Sequence, residues 1–82
     1  MKFTIKNETG LHARPASLVV AESKKYKSDI TFIKNGTSYN AKSIMSVMVM
    51  EGKCGDTIEI VCEGEDQEEA LKGIVSVLEN LK

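Results

Sequence analysis

Phe3 and Ile5 alternate with Lys2, Thr4 and Lys6, the period of two that predicts a half-buried strand. After the turn-rich Asn7-Glu8-Thr9-Gly10, the apolar set Ala16, Leu18, Val19, Val20 and Ala21 predicts a helix running to about Lys25 or Tyr26. Asp29 to Ile33 reads as a second strand, with Ile30 and Phe32 on one face. Asn35-Gly36 is a strong hairpin signal and predicts that Thr37-Ser38-Tyr39-Asn40 returns antiparallel. The dense run Ile44 to Met50 then predicts a short helix, with Ser43 as N-cap and Gly52 as its stop.

Gly55-Asp56 turns the chain into a strand from Thr57 to Glu63, with Ile58, Ile60 and Cys62 facing one way and Val61 interrupting the polar face. Asp66 followed by Glu69 resembles a capping box with Asp in the Ser/Thr position. The final helix is expected to bury Ala70, Leu71, Ile74, Val77 or Leu78, and Leu81 at helical spacing. The order is β-α-β-β-α-β-α. Amphipathic strands, rather than strands apolar throughout, predict an α+β fold whose antiparallel-rich sheet is covered by helices on one face.

Composition narrows the function. Eighty-two residues make one domain, 1–82, with room for a single modest core. A net charge of −1 and a pI near 5.8 disfavour nucleic-acid binding, which calls for a basic face. No apolar run is long enough to span a bilayer, Met1-Lys2-Phe3 does not open a signal peptide, and membrane insertion is not expected. Cys54 and Cys62 form no disulfide framework; two reduced thiols, Cys62 expected in the core and Cys54 in a loop, fit a cytoplasmic protein. With one histidine and no CxxC, neither a metal site nor a cofactor is expected.

The candidate chemistry lies in Gly10-Leu11-His12-Ala13-Arg14-Pro15-Ala16-Ser17, which holds the only histidine and the only proline. Pro15 suits a first helical turn, where its missing N–H is no loss. His12 then sits at the helix mouth, where free N–H groups and the positive dipole end favour an anion. Arg14 adds a planar, permanently charged donor for phosphate oxygens. A helix start and a nearby guanidinium both favour the neutral imidazole, the nucleophilic form, and phosphoryl transfer asks mainly for positioning and charge stabilisation.

Two segments, Gly10-Leu11-His12-Ala13-Arg14-Pro15-Ala16 and Lys42-Ser43-Ile44-Met45-Ser46-Val47-Met48, resemble the two signatures of HPr, the phosphocarrier family of the phosphoenolpyruvate-dependent sugar phosphotransferase system. The likeness covers the whole chain in length, element order and motif spacing. It implies an open-faced β-sandwich, a four-stranded antiparallel sheet covered on one face by three helices. It further implies that His12, through Nδ1, accepts phosphate from phospho-enzyme I and hands it to sugar-specific EIIA domains, assisted by Arg14. Ser43 matches the regulatory serine that a dedicated ATP-dependent kinase modifies in some lineages. A Ser43 kinase/phosphorylase and a transcriptional regulator are thus further candidate partners of a protein expected to be monomeric. Ser46 replaces a glycine frequent in the family, and Val49-Met50-Glu51 replaces a common small or polar run.

Each residue also has an ordinary explanation. A lone His at a helix start is most often a surface residue, Arg14 alone a solvated charge, and Ser43 simply an N-cap. Met45, Met48 and Met50 default to core. Yet one short helix cannot bury Ile44, Met45, Val47, Met48, Val49 and Met50 together, so Ile44, Met45 and Met48 are expected to form an exposed docking patch. No second acid/base and no Gly-rich nucleotide loop accompany His12, so a carrier is expected rather than an enzyme. The alternatives are an HPr-like regulatory module acting through Ser43 and its patch, a carrier of a nitrogen-related branch, and a ferredoxin-like nucleic-acid or metal-binding domain.

Overall fold

A computed structural model describes residues 1–81. Its elements are β1 (Lys2–Thr4), α1 (Ala13–Ser23), β2 (Asp29–Lys34), β3 (Thr37–Asn40), α2 (Ile44–Met50), β4 (Thr57–Glu63) and α3 (Gln67–Glu79). The strands form one sheet in the order β1-β4-β2-β3, with every pairing antiparallel. This is the α+β open-faced sandwich expected from the sequence.

Alternation sets the register. Phe3, Ile5, Ile30, Phe32, Ile58 and Ile60 all bury on the helix-covered face, where each fully enclosed side chain contributes ~1.5–3 kcal/mol of transfer free energy. The helices answer with Ala16, Val19 and Val20 from α1, Val47 and Met50 from α2, and Ala70, Ile74 and Leu78 from α3. The hairpin forms as read: Asn35 and Gly36 take φ of 51° and 80°, and Lys34 pairs with Thr37. Two positive φ values are the mark of the turn whose twist matches flanking strands.

Several expectations need correction. Leu18 and Ala21 are exposed, because Val19, Val20 and the polar Ser23 take the inward positions of α1. Ser23 is accommodated by donating its hydroxyl to Val19 O at 2.8 Å. The first helix also ends at Ser23, short of Lys25.

Secondly, α2 is stopped by Glu51 in the left-handed conformation (φ 52°, ψ 51°), not by Gly52. Gly52 is needed for space instead: a Cβ there would lie 2.7 Å from Ile5 Cδ1 and 3.1 Å from Leu11 Cδ1. Thirdly, Asp66 makes no side-chain cap of α3. Its carboxylate accepts the backbone N–H groups of Lys27 and Ser28, each at 2.9 Å, and also the Ser28 hydroxyl. The tertiary acceptor role wins because it satisfies donors of the α1–β2 loop, including those of buried Ser28. These donors, the Ser28 hydroxyl foremost, hold the Asp66 carboxyl down at about 2. Cys62 is only half-buried rather than fully in the core, and burial pushes its thiol up. Finally, Ala70, Ile74 and Leu78 are buried from α3, but Leu71 and Leu81 are only partly buried, Leu81 because the helix ends at Glu79.

Candidate functional site

The segment before α1 is fixed by local geometry. Gly10 adopts φ of 63°, and its N–H donates to Asn7 O at 3.1 Å. The buried Asn7 returns a bond from Nδ2 to Gly10 O at 2.7 Å. Leu11, enclosed in the core, then donates its N–H to Gly52 O at 2.7 Å. Asn7 was not singled out from the sequence, although Asn-x-x-Gly is an available turn signal.

His12 is the N-cap of α1, extended at φ −80° and ψ −168°, and its carbonyl accepts the Ala16 N–H at 2.8 Å. Its exposed imidazole makes no capping bond. Pro15 falls at the third helical position and has no N–H. The first-turn donors are therefore those of Ala13 and Arg14, which have no acceptor within the helix. Ring, open N–H groups and the Arg14 side chain converge on one end of one helix. His12 and Arg14 also share a groove of about 690 Å³ with Thr9, Ala13, Pro15, Leu18, Asn80 and Leu81.

The second segment is a helix start as well. Ser43 Oγ accepts the Ser46 N–H at 3.3 Å, and the Ser43 carbonyl accepts the Val47 N–H at 3.1 Å. On α2, Ile44, Met45, Met48 and Val49 remain 37%, 69%, 42% and 65% exposed, while Val47 and Met50 are enclosed. The exposed set thus contains the expected patch and Val49 besides. Met48 reaches the edge of a second groove, about 350 Å³, with Leu11, His12, Glu51, Gly52 and Lys53. The apolar patch and the imidazole therefore belong to one continuous surface.

Lys34 secures the segment between them. Its ammonium donates to Met50 O and Glu51 O at 3.1 and 3.0 Å and pairs with Asp56 Oδ2 at 3.1 Å. Asp56 also accepts the Lys53 N–H at 2.9 Å, and that bond, then Lys34, lowers its carboxyl below the usual carboxylate range. A cation on the last carbonyls of α2 complements the helix dipole. Among the described residues no cluster of His, Cys, Asp and Glu is arranged to hold a metal, and no helix is long and apolar enough to cross a membrane.

Comparison with known proteins agrees with this geometry. The family model for the PTS HPr component phosphorylation site matches residues 1–80. The phosphocarrier protein HPr of Treponema pallidum is 42% identical over 74 residues, covering 90% of this chain and 84% of that protein. The HPr-like protein Crh of Halalkalibacterium halodurans is 41% identical over 75 residues, covering 92% and 89%. Among solved structures, HPr of Thermoanaerobacter tengcongensis superposes with a TM-score of 0.93 at 43% identity, covering 96% of this chain and 89% of that one. HPr from the same organism has also been solved as a dimer, with a TM-score of 0.80 at 44% identity and coverage of 94% and 88%, so monomeric behaviour does not follow from family membership. Sequence, fold and motif positions agree from β1 to α3: this chain belongs to the HPr family of phosphocarrier proteins of the phosphotransferase system.

Proposed function

We propose that the chain is a phosphoryl carrier that accepts phosphate on His12 from phospho-enzyme I and passes it to sugar-specific EIIA domains. The observation that supports this best is the uncommitted imidazole at the N-terminus of α1. A histidine that merely capped its helix would spend a ring nitrogen on the first-turn N–H groups. Here those donors remain beside the ring, disposed to hold phosphoryl oxygens.

In the transfer step the lone pair of the neutral ring, at Nδ1 by family resemblance, forms the N–P bond. The donor's bond to phosphorus breaks in line, and its electron pair leaves with the donor. The other ring nitrogen keeps its proton through the step, so no separate base is required. This accords with a carrier having no turnover of its own. Charge spread over the three equatorial oxygens is met by the Ala13 and Arg14 N–H groups and by the Arg14 guanidinium. Handing the phosphate on is the same step in reverse.

Ile44, Met45 and Met48 form the surface on which partners dock, and flexible thioethers suit a surface that must fit more than one. Ser43, at the near end of that patch, is the regulatory site for a kinase/phosphorylase. The modified protein would then be the form offered to a transcriptional regulator. The proposed step needs no second copy of the chain, and its proposed setting is the cytoplasm.

The regulatory-module reading stays in view because an HPr-like protein, Crh, stands among the relatives, and the presence of His12 weighs against it. Incubation with phosphoenolpyruvate, enzyme I and an EIIA domain separates the two. A carrier passes labelled phosphate to the EIIA domain, whereas a purely regulatory module leaves it on enzyme I.

A further inference from the structure

We propose that Lys53 is a second phosphoryl-binding cation, meeting the His12 phosphoryl group from the groove that Arg14 does not line. This rests on His12 being the acceptor. His12 borders two grooves, one shared with Arg14 and the other with Leu11, Met48, Glu51, Gly52 and Lys53. Arg14 and the first turn of α1 supply positive charge on one side only, and Lys53 is the cation on the other.

The backbone of Lys53 is held close to the His12 loop. A Cβ on Gly10 would strike Gly52 O and lie 3.1 Å from Lys53 Cα. The Gly52 carbonyl binds the Leu11 N–H. Lys53 is itself anchored through its N–H to Asp56 Oδ2 at 2.9 Å and its carbonyl to the Asp56 N–H at 2.9 Å. Its side chain is exposed. Lys25 and Lys34 each pair with a carboxylate, at 2.9 and 3.1 Å, but the Lys53 ammonium has none within ion-pair distance among the described residues. A long, unpaired, strongly hydrated ammonium on a fixed backbone beside the acceptor fits an incoming dianion.

Glu51 lines the same groove with the opposite sign. Its carboxylate offsets Lys53 while the groove is empty and opposes the phosphoryl group once His12 is loaded. Neutralising the two residues should therefore move any charge-sensitive property of phospho-His12 in opposite directions. A purely structural role for either would not.

The test loads purified protein with phosphoramidate, a small donor that needs no docking. The ring lone pair attacks phosphorus, the P–N bond of the donor breaks, and ammonia leaves with the electron pair. The readouts are the loading rate and the pH midpoint of the phosphorus resonance of phospho-His12. The charged residues lining the two grooves are Arg14, Glu51 and Lys53, and the Lys34–Asp56 pair is held on the same segment at Glu51 and Lys53. Lys53→Gln should load about two- to fivefold more slowly and raise the midpoint by about 0.3–0.5 unit, since removing a cation favours the protonated form. Lys53→Arg should restore both, and Glu51→Gln should lower the midpoint. The differences should shrink in about 1 M salt, where charges are screened within ~3 Å. A Lys53→Gln variant identical to wild type at low salt, with loading that still requires His12, overturns this inference alone. Unchanged loading of His12→Ala overturns the acceptor assignment and this inference with it.

Discussion

Gly52→Ala probes how tightly the His12 loop is packed on the core. Gly52 is not among the glycines with positive φ, so alanine can adopt its backbone conformation. On that ground alone the substitution would stabilise by ~0.4–1 kcal/mol through restriction of the unfolded chain. The added methyl, however, would lie 2.7 Å from Ile5 Cδ1 and 3.1 and 3.3 Å from Leu11 Cδ1 and Cγ. Both side chains have little room to retreat, since Ile5 and Leu11 are enclosed in the core at 1% and 2% exposure. Overpacking of this kind costs ~1–3 kcal/mol, so the net loss should be about 1 kcal/mol, or ~4–8 °C in Tm for a domain of this size. Leu11 is the residue before His12, and any outward shift carries the imidazole with it. Phosphate acceptance should fall further than the melt alone would suggest, because displacements near 1 Å can cost up to ~10²-fold. Thermal denaturation by circular dichroism, with acceptance rates measured well below Tm, checks both. Ile5→Val deletes the offending Cδ1 at ~0.5–1.5 kcal/mol by itself and should absorb most of the Gly52→Ala penalty in the double variant. A Gly52→Ala protein that melts at or above wild type refutes the reasoning, as does a penalty unchanged by Ile5→Val.

Other outcomes follow from the same geometry. Arg14→Glu should slow phosphate acceptance at least tenfold, short of the ~10²–10³-fold typical of an enclosed donor because Arg14 is exposed; Arg14→Lys should fall between the two in rapid-quench assays, having charge without the fork. Asp66, held at about 2 in the fold against ~3.9 for a free aspartate, contributes stability above pH ~4 that is lost as pH falls toward 2. Denaturant titrations of Asp66→Asn should accordingly show a flatter loss across that window than wild type, and parallel curves would mean that the Lys27 and Ser28 contacts do not stabilise the fold. Ser43→Asp places charge at a helix start, where the dipole tolerates it. It should melt near wild type yet bind enzyme I about tenfold more weakly in calorimetry, as should Met45→Lys, since both charge a patch that must be desolvated on docking. Normal binding by Ser43→Asp, or binding lost only through unfolding, would mean that charge at Ser43 does not control docking.

What could be read from the sequence was whatever neighbours decide. Asn35-Gly36 specifies its turn with its own φ values, Ser43 caps the helix that begins beside it, and His12 lies at a helix start marked by Pro15. What could not be read depended on residues distant in the chain. Asp66 looks like a cap from its neighbours, but the donors of Lys27 and Ser28 claim it. Gly52 looks like a helix stop, but Ile5 and Leu11 press on it, and Glu51 takes the left-handed turn instead. Leu18 has the right character for the core, and it lines the groove beside His12. Lys53 carries no local signal at all. The Leu11–Gly52 bond and the close packing of Gly10 on Gly52 and Lys53, all long-range, bring its segment against the histidine loop.

On the proposed function, phosphate resides on His12. Intact-mass measurement of wild-type and His12→Ala protein, each incubated with enzyme I and phosphoenolpyruvate and weighed before and after mild acid, tests it most directly. A phosphorus–nitrogen bond is acid-labile, whereas a phosphoserine is retained. The wild type should gain one phosphate and lose it in acid, and a folded His12→Ala protein should gain none. An acid-labile phosphate on His12→Ala, or an acid-stable one as the sole product on the wild type, would contradict it.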